Sequence, residues 1–376
     1  MKRDELLERI GDRIVVASMS SGKDSGAMGL HLRELGIPFR PVFIDTGWES
    51  SKTYRYLRGP LTDHFGEITE IRAEVELDDE LELDLPCVPD LLGKRAATKE
   101  ELARALEEEL GHYSAMVRLC VQKGMFPSRV QRFCTQVLKV YTMRDYLLEL
   151  DQEPVNAVGI RNEESEARRY METWEFMETY DCDVWRPIRT WTEDQVIAIH
   201  NRNGLLPNPH YLRGSDRVGC WPCIYARKSE LGVLAKDESR IHLLELLERL
   251  VGDLAEWRSK VAGTTLEERG HVRPTWFRSR KDDRKSVPCE DCRGSGKREG
   301  LGEVSGLFGA MVELVDCETC KGTGKVRTKH SGGMWSIREA VAYGVGDQRE
   351  GLFASSFRDQ GCMRWGLCEH EAARKA

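Results

Sequence analysis

No run of about 18 apolar residues occurs in this chain, so nothing in it reads as a membrane-spanning helix. The opening Met1-Lys2-Arg3-Asp4-Glu5 lacks the apolar stretch of a secretion signal. A cytoplasmic protein with no membrane partner is therefore the expectation. Basic charge is not in excess either. With 56 Lys and Arg against 63 Asp and Glu, the formal net charge is −7. That argues against a protein coated for nucleic acid while leaving local patches open. Cysteine, by contrast, is plentiful, with twelve in 376 residues. In a reducing compartment this points to metal or redox chemistry rather than disulfides. Hydrophobic residues make up 40% of the chain, enough for one sizeable core and a small module.

One segment stands out: Val15-Val16-Ala17-Ser18-Met19-Ser20-Ser21-Gly22-Lys23-Asp24-Ser25. An apolar, β-branched run ends in a small-residue loop with one lysine and opens into an amphipathic helix expected over Asp24–Leu35. Backbone N–H groups at a helix N-terminus point outward and favour negative charge. Small residues let a phosphate approach, and Lys23 adds a point charge. The loop reads as a phosphate cradle, although it has neither the Walker A spacing nor the Gly-x-Gly-x-x-Gly fingerprint. The plain alternative is a strand-to-helix turn with Asp24 as N-cap.

Strands are expected at Ile14–Ser20, Phe39–Thr46, Glu67–Ala73, Val155–Ile160 and Val184–Ile188. Helices are expected at Ser51–His64, Lys99–Leu110, Thr135–Leu150 and Glu193–Asn203. This alternation predicts an α/β fold with a doubly wound parallel sheet covered on both faces, its ligand loops at one edge. The acidic stretch at about 74–112 reads as an insertion with a solvated helix.

The loop resembles the PP-loop, Ser-Gly-Gly-Lys-Asp-Ser, of the adenine nucleotide α-hydrolases, with Ser21 where that pattern usually has its first glycine. Phe43-Ile44-Asp45-Thr46-Gly47-Trp48-Glu49 with Thr53-Tyr54 is similar to the end of the second strand in the PAPS reductase branch. Val158-Gly159-Ile160-Arg161, Glu163-Glu164-Ser165 and Arg168-Arg169 resemble its anion loop. Trp191–Val196, Leu206–Tyr211 and Arg217-Val218-Gly219-Cys220-Trp221-Pro222-Cys223 resemble its closing part. The resemblance spans about the first two-thirds of the chain. It implies a Rossmann-like (HUP-type) domain over residues 1–256 that binds an adenine nucleotide, ATP with Mg²⁺. Ser18, Ser20, Ser21, Gly22, Lys23, Asp24 and Ser25 would grip the phosphates. Asp45, Thr46 and Gly47 would lie near the nucleoside, and Gly159 and Arg161 near the acceptor or α-phosphate. Lys23, Asp24 and Arg161 are the catalytic candidates.

Iron–sulfur members of the family carry a Cys-Cys pair at a helix start plus a Cys-x-x-Cys. Here Cys134, Cys220 and Cys223 match, with Phe133 in place of one ligand. A [4Fe–4S] cluster with one open iron is implied, as the resemblance to tRNA-thiolating PP-loop enzymes indicates. Zinc, or unligated structural thiols, are the alternatives. Cys87, Cys120 and Cys182 read as small buried hydrophobes.

Further along, Cys289-Glu290-Asp291-Cys292-Arg293-Gly294-Ser295-Gly296 recurs as Cys317-Glu318-Thr319-Cys320-Lys321-Gly322-Thr323-Gly324. Two Cys-x-x-Cys turns complete a tetrahedral structural Zn²⁺ site, with a hairpin expected at Val304–Val315. The repeat resembles one zinc unit of the DnaJ-type cysteine-rich region. It defines a small C-terminal zinc-binding module at 287–327, after a basic linker at 257–286 and before a tail at 328–376. Arg273, Arg278, Arg280, Lys281, Arg284 and Lys285, with Trp276 and Phe277, form a basic aromatic stretch that would suit a nucleic-acid backbone, or be a solvated linker. The tail cysteines Cys362 and Cys368 have the residue types, but not the order, of the reductases' C-terminal thiol motif.

Three functions fit. One is an adenylating ATP pyrophosphatase for sulfur transfer, with a nucleic acid as a candidate acceptor and a cysteine desulfurase or other donor as its sulfur source. The others are a thioredoxin-dependent PAPS or APS reductase, and a non-catalytic nucleotide-sensing binding protein.

Overall fold

The computed structural model describes residues 3–78, 80–128, 130–269, 271–278, 286–288, 297–301, 312–316, 325–327, 334–346 and 365. After helix α1 (Arg3–Ile10), the chain builds a six-stranded sheet from β1 (Ile14–Met19), β2 (Arg40–Asp45), β3 (Thr69–Arg72), β4 (Pro154–Val158), β5 (Trp174–Met177) and β6 (Cys182–Trp185). The spatial order is β3-β2-β1-β4-β6-β5. All neighbours run parallel except β5, which is antiparallel to β6. The sheet is thus mostly parallel rather than wholly so, and the hairpin partner β5 is an edge strand absent from the sequence expectation. Its pattern is half exposed, without the apolar run of a buried parallel strand.

β1 is central and buried on both faces, which suits its Val-Val-Ala run. On one face Val15, Ala17 and Phe43 pack with helix α2 (Lys23–Glu34) through Ala27, Met28 and Leu30. On the other, Val16 and Val42 meet Met143 and Leu147. The register sets Ser18 beside Val42 on β2 and Val158 on β4, so the carboxyl ends of all three strands lie level. Two expected helices are interrupted by π turns. Ser51–His64 becomes α3 (Ser51–Tyr56), a π segment Leu57–Leu61 around Pro60, and Thr62–Phe65. Thr135–Leu150 becomes Phe133–Thr135, a π segment Gln136–Tyr141 and Thr142–Leu148. Such turns frequently mark functional sites.

The acidic stretch is not merely a solvated insertion. The helix Lys99–Leu110 buries Leu102, Ala103 and Leu106 completely, in a second core shared with the helices Ala115–Lys123 and Glu238–Val261. Its glutamates keep the opposite face in water, as in any amphipathic helix. The domain boundary expected at 256 falls inside the helix Glu238–Val261.

Two short ladders bracket the two Cys-x-x-Cys segments. β8 (Ser286–Pro288) pairs with β11 (Lys325–Arg327), and β9 (Lys297–Leu301) with β10 (Val312–Asp316). Of the stretch expected as a hairpin at Val304–Val315, Val312–Val315 belong to β10, which pairs with β9, and residues 304–311 lie outside the described residues. Cys289, Cys292, Cys317 and Cys320 lie outside the described residues. The strands β7 (Phe277–Arg278) and β12 (Met334–Trp335) form an antiparallel neck. Glu248 accepts hydrogen bonds from Trp276 N (2.9 Å) and Ile337 N (3.2 Å), tying both limbs of the neck to one helix. Trp276 and Phe277 are buried in the second core, Trp276 against Trp48 at 5.0 Å, so neither ring is available to stack on bases. Arg273 of the same stretch is paired with Asp253 and Glu256.

Replacing Leu106 with Ala is expected to cost about 2–5 kcal/mol in a denaturant titration. Glu108→Ala, on the exposed face, should stay within about 0.5 kcal/mol of the parent. Equal effects would contradict the burial of this helix.

Candidate active site

β1 hands over to α2 through Ser20, Ser21 and Gly22. Ser21 sits at φ 59°, in the left-handed region, which costs a non-glycine residue on the order of 1 kcal/mol. This is the position where the PP-loop pattern usually has glycine. Ser25 braces the turn: its hydroxyl accepts from Ser20 N (3.1 Å) and donates to Gly22 O (3.0 Å). The N-cap is Gly22 rather than Asp24, so the cap residue has no side chain to offer the helix, and of its first N–H groups that of Lys23 is taken by Tyr211 Oη. A buried helix end of this kind calls for a partner for its N–H groups. The buried Ser21 Oγ likewise has no hydrogen-bond partner among the described residues.

Lys23 is held by groups from distant segments. Its N–H donates to Tyr211 Oη (3.1 Å), and its C=O accepts from His200 Nε2 (2.8 Å). Its Nζ donates to Asp216 O (3.3 Å), pairs with Glu193 (3.2 Å) and Asp24 (3.7 Å), and lies over the Tyr211 ring. Asp24 in turn pairs with Arg161 at 2.5 Å. Arg161 is buried and also bonds Glu163 (2.9 Å). Burial opposes its charge, but Asp24, Glu164 and Glu163 outweigh this and hold its pKa above the ordinary value. Gly159 makes the approach of the β4 loop to α2 feasible. A Cβ there would lie 2.8 Å from Asp24 O and 2.9 Å from Ser25 Cα.

At the end of β2, Asp45 Oδ1 accepts from Gly47 N (2.8 Å) and Tyr54 Oη (2.5 Å). Gly47 has φ 65°, and a Cβ there would lie 2.4 Å from Ser114 Cα. Thr46 donates to the buried Glu49 carboxylate (2.8 Å), whose pKa is raised first by burial and further by Asp45. Ser18 differs from the rest of the expected phosphate residues, because its hydroxyl donates to Asn156 on β4 (3.0 Å).

The loop after β2 also reaches the Cys-x-x-Cys segment. Trp48 Nε1 donates to Pro222 O (3.2 Å), and Trp221 N donates to Trp48 O (2.7 Å). Arg240 covers the Trp48 ring and donates to Glu49 O (3.1 Å). Cys134, Cys220 and Cys223 are neighbours, and Lys139 in the π turn lies among them. Burial raises the Cys220 thiol, with Lys139 opposing. The Lys139 pKa is raised, most of all by Cys220, with Glu49 contributing. Among the described residues no group of three or more His, Cys, Asp or Glu side chains is arranged to hold a single metal ion. Cys87, Cys120 and Cys182 are buried as expected, with thiols raised chiefly by burial, Cys87 to about 12 and Cys182 to about 11. Cys362 and Cys368 lie outside the described residues.

The phosphoadenosine phosphosulfate reductase domain pattern matches residues 97–226, the segment that carries Cys134, Arg161, Tyr211, Cys220 and Cys223. An uncharacterized 37.8 kDa protein in the gpa 5′ region of Escherichia phage 186 is 34% identical over 289 residues, covering 73% of this chain and 81% of the phage protein. Residues 97–226 belong to the PAPS reductase domain family. Phosphoadenylyl-sulfate (PAPS) reductase from Candida auris, solved as a phosphate complex, is 17% identical with a TM-score of 0.38, over 59% of this chain and 90% of that one. The PP-loop itself precedes the matched family segment and joins it through the sheet, β1 lying against β4.

Within this family member, sequence reasoning missed Glu193, His200, Asn208, His210 and Tyr211 as supports of the site. Asn208 caps a short helix, Pro209–Leu212, and its Nδ2 donates to Ser21 O (3.4 Å). An Asn-Pro start signals that turn in sequence, but its contact with the PP-loop is tertiary. His210 Nε2 lies 2.5 Å from Ser50 Oγ, and its ring packs on Trp221. Burial, then Arg213 and Lys52, lowers its pKa from 6.5 to about 4.

Because the folded-state pKa of His210 is depressed, the unfolded chain binds its proton first. Stability tied to neutral His210 is present above pH 6.5 and lost as pH falls toward about 4. The loss is on the order of 3 kcal/mol. His210→Gln should flatten the stability profile in that window when unfolding is followed by denaturant at each pH. A variant that keeps the wild-type slope would show that His210 is not its source.

Proposed function

We propose that this chain is a PP-loop enzyme that binds ATP with Mg²⁺, cleaves it between the α- and β-phosphates, and adenylates an acceptor to prepare it for sulfur transfer. One observation carries the proposal. The N-terminus of α2, where Tyr211 takes only the Lys23 N–H, meets Lys23 and the Ser21 Oγ, which has no partner among the described residues, where the loops after β1 and β4 part. N–H groups and a lysine in a partly water-excluded crevice stabilise the charge that develops on leaving pyrophosphate. Ser20, Ser21, Gly22 and Ser25 hold the phosphates, with Asp45, Thr46 and Gly47 near the nucleoside. An acceptor oxygen attacks the α-phosphorus, pyrophosphate leaves, and a sulfur nucleophile then displaces AMP from the activated carbon. Arg161, fixed by Asp24, sits at the same edge to neutralise the α-phosphate. A nucleic acid is the acceptor class we favour, with a cysteine desulfurase or other protein as sulfur source.

The thiols Cys134, Cys220 and Cys223 suit an iron–sulfur cluster by donor chemistry, and the neighbouring Lys139 offsets thiolate charge. Bound there, a [4Fe–4S] cluster would supply an iron able to carry sulfur or electrons. Zn²⁺ at Cys289, Cys292, Cys317 and Cys320 would stabilise the small module.

A reductase acting on PAPS or APS is the second reading, and the placement of Trp365 favours it. That residue is buried against Tyr211 beside the PP-loop. Cys362 and Cys368 flank it in sequence, three residues away on either side.

Products separate the readings. Incubated with ATP and Mg²⁺, the protein is expected to release AMP and pyrophosphate, and Lys23→Ala to lose about 100-fold or more. Sulfite and adenosine bisphosphate from PAPS would select the reductase, and no turnover of either nucleotide would leave a binding protein. Anaerobically purified protein should absorb broadly at about 400 nm with about four irons per chain, and Cys220→Ala should lose both. Iron-free protein would remove the cluster from the proposal.

A further inference from the structure

We infer that Trp365 is a positioning residue for the PP-loop, acting through His200 and Tyr211. Trp365 is 3% exposed and packs with Ile197, Leu212 and Val218. Its ring meets His200 edge-on at 5.2 Å and Tyr211 at 6.0 Å. Those two side chains grip opposite ends of one residue of the loop. Tyr211 Oη accepts from Lys23 N, and His200 Nε2 donates to Lys23 O. His200 also lies against the first turn of α2, where a Cβ on Gly26 would come within 2.8 Å of its Cε1. Among the described residues, Trp365 is the aromatic ring that meets both. The orientation of the Lys23 peptide, and with it the N–H groups that open α2, thus depends on a residue about 340 positions away in sequence.

Two consequences follow physically. Loss of the indole frees both rings to change rotamer, which loosens the start of α2. Because binding linkage is reciprocal, a phosphate ligand that needs the ordered loop must also tighten the seating of Trp365. The second consequence rests on the nucleotide assignment proposed above, whereas the first does not.

The test uses the full chain with Trp365→Ala, Trp365→Phe and Tyr211→Phe. Hydrogen exchange without ligand reads the loop directly. In Trp365→Ala, amides of residues 22–26 are expected to exchange faster while those of Pro154–Val158 keep their rate, and Trp365→Phe should recover part of the protection. ATP with Mg²⁺, titrated calorimetrically, should bind about tenfold more weakly to Trp365→Ala. ATP should also slow exchange around residue 365 in the wild type. In the Tyr211→Phe background the effect of Trp365→Ala on ATP affinity should shrink by about half or more, because the hydroxyl it acts through is gone. Unchanged exchange at 22–26, or an undiminished effect in Tyr211→Phe, overturns the inference. Should Trp365→Ala exchange fast throughout, Trp365→Phe takes its place in the same comparison. If the wild type binds no ATP, the nucleotide proposal fails, and exchange at 22–26 alone decides for or against Trp365.

Discussion

β1 has β2 on one side and β4 on the other, and the chain leaves it in one direction and returns from the opposite one. The loops after β1 and β4 therefore part, opening a crevice at the carboxyl ends of the strands. Every feature of the candidate site answers to that constraint. The turn after β1 must be tight enough to start α2 at Lys23, which forces Ser21 into the left-handed region. The loop after β4 must lie against the first turn of α2, which only glycine permits at position 159. The Arg161–Asp24 pair then closes the base of the crevice with a buried, charge-assisted bond. Breaking one partner of such a pair leaves a buried charge uncompensated, so both residues support the loop whatever else they do.

The second cluster of chemistry is attached to the first through a single loop. Asp45 and Thr46 belong to the crevice, and Trp48, two residues on, exchanges hydrogen bonds with the Trp221–Pro222 segment between Cys220 and Cys223. Glu49 lies between Asp45 and Lys139, and its charge helps to raise the Cys220 thiol. A rearrangement of the β2 loop would be felt at the cysteines without any long-range path, because the contacts are direct. The neck at β7 and β12 reaches the same loop, since Trp276 packs on Trp48.

Much of the scaffold was legible because local signals agreed with the fold. The helices Lys99–Leu110 and Glu193–Asn203 have their expected bounds, each opened by a capping box and closed by a glycine in the left-handed region. The strands that feed the crevice were legible from their β-branched runs, and the tight turn between β1 and α2 from its small residues. Other features were hidden by the distance over which they act. Tyr211, His200 and Glu193 reach Lys23 from about 170–190 residues away, and no period or spacing encodes that. The helix Glu238–Val261 carries a broad apolar face but no ligand motif, so nothing marked it as the wall of a second core. Trp276 and Phe277 looked like a nucleic-acid surface because basic residues surround them. The structure puts the rings inside and pairs Arg273 with acids, so composition pointed the wrong way there.

The central claim is that the turn from β1 into α2 holds the phosphates of an adenine nucleotide. A crystal structure of the protein with Mg²⁺ and α,β-methylene ATP tests it most directly, since the analogue cannot be cleaved between those phosphates. The account predicts phosphate density against Ser20, Ser21, Gly22 and Ser25, with the adenosine toward Asp45–Gly47. A nucleotide bound elsewhere, or a filled crystal in which this crevice stays closed by the Lys23–Glu193 pair, would contradict it.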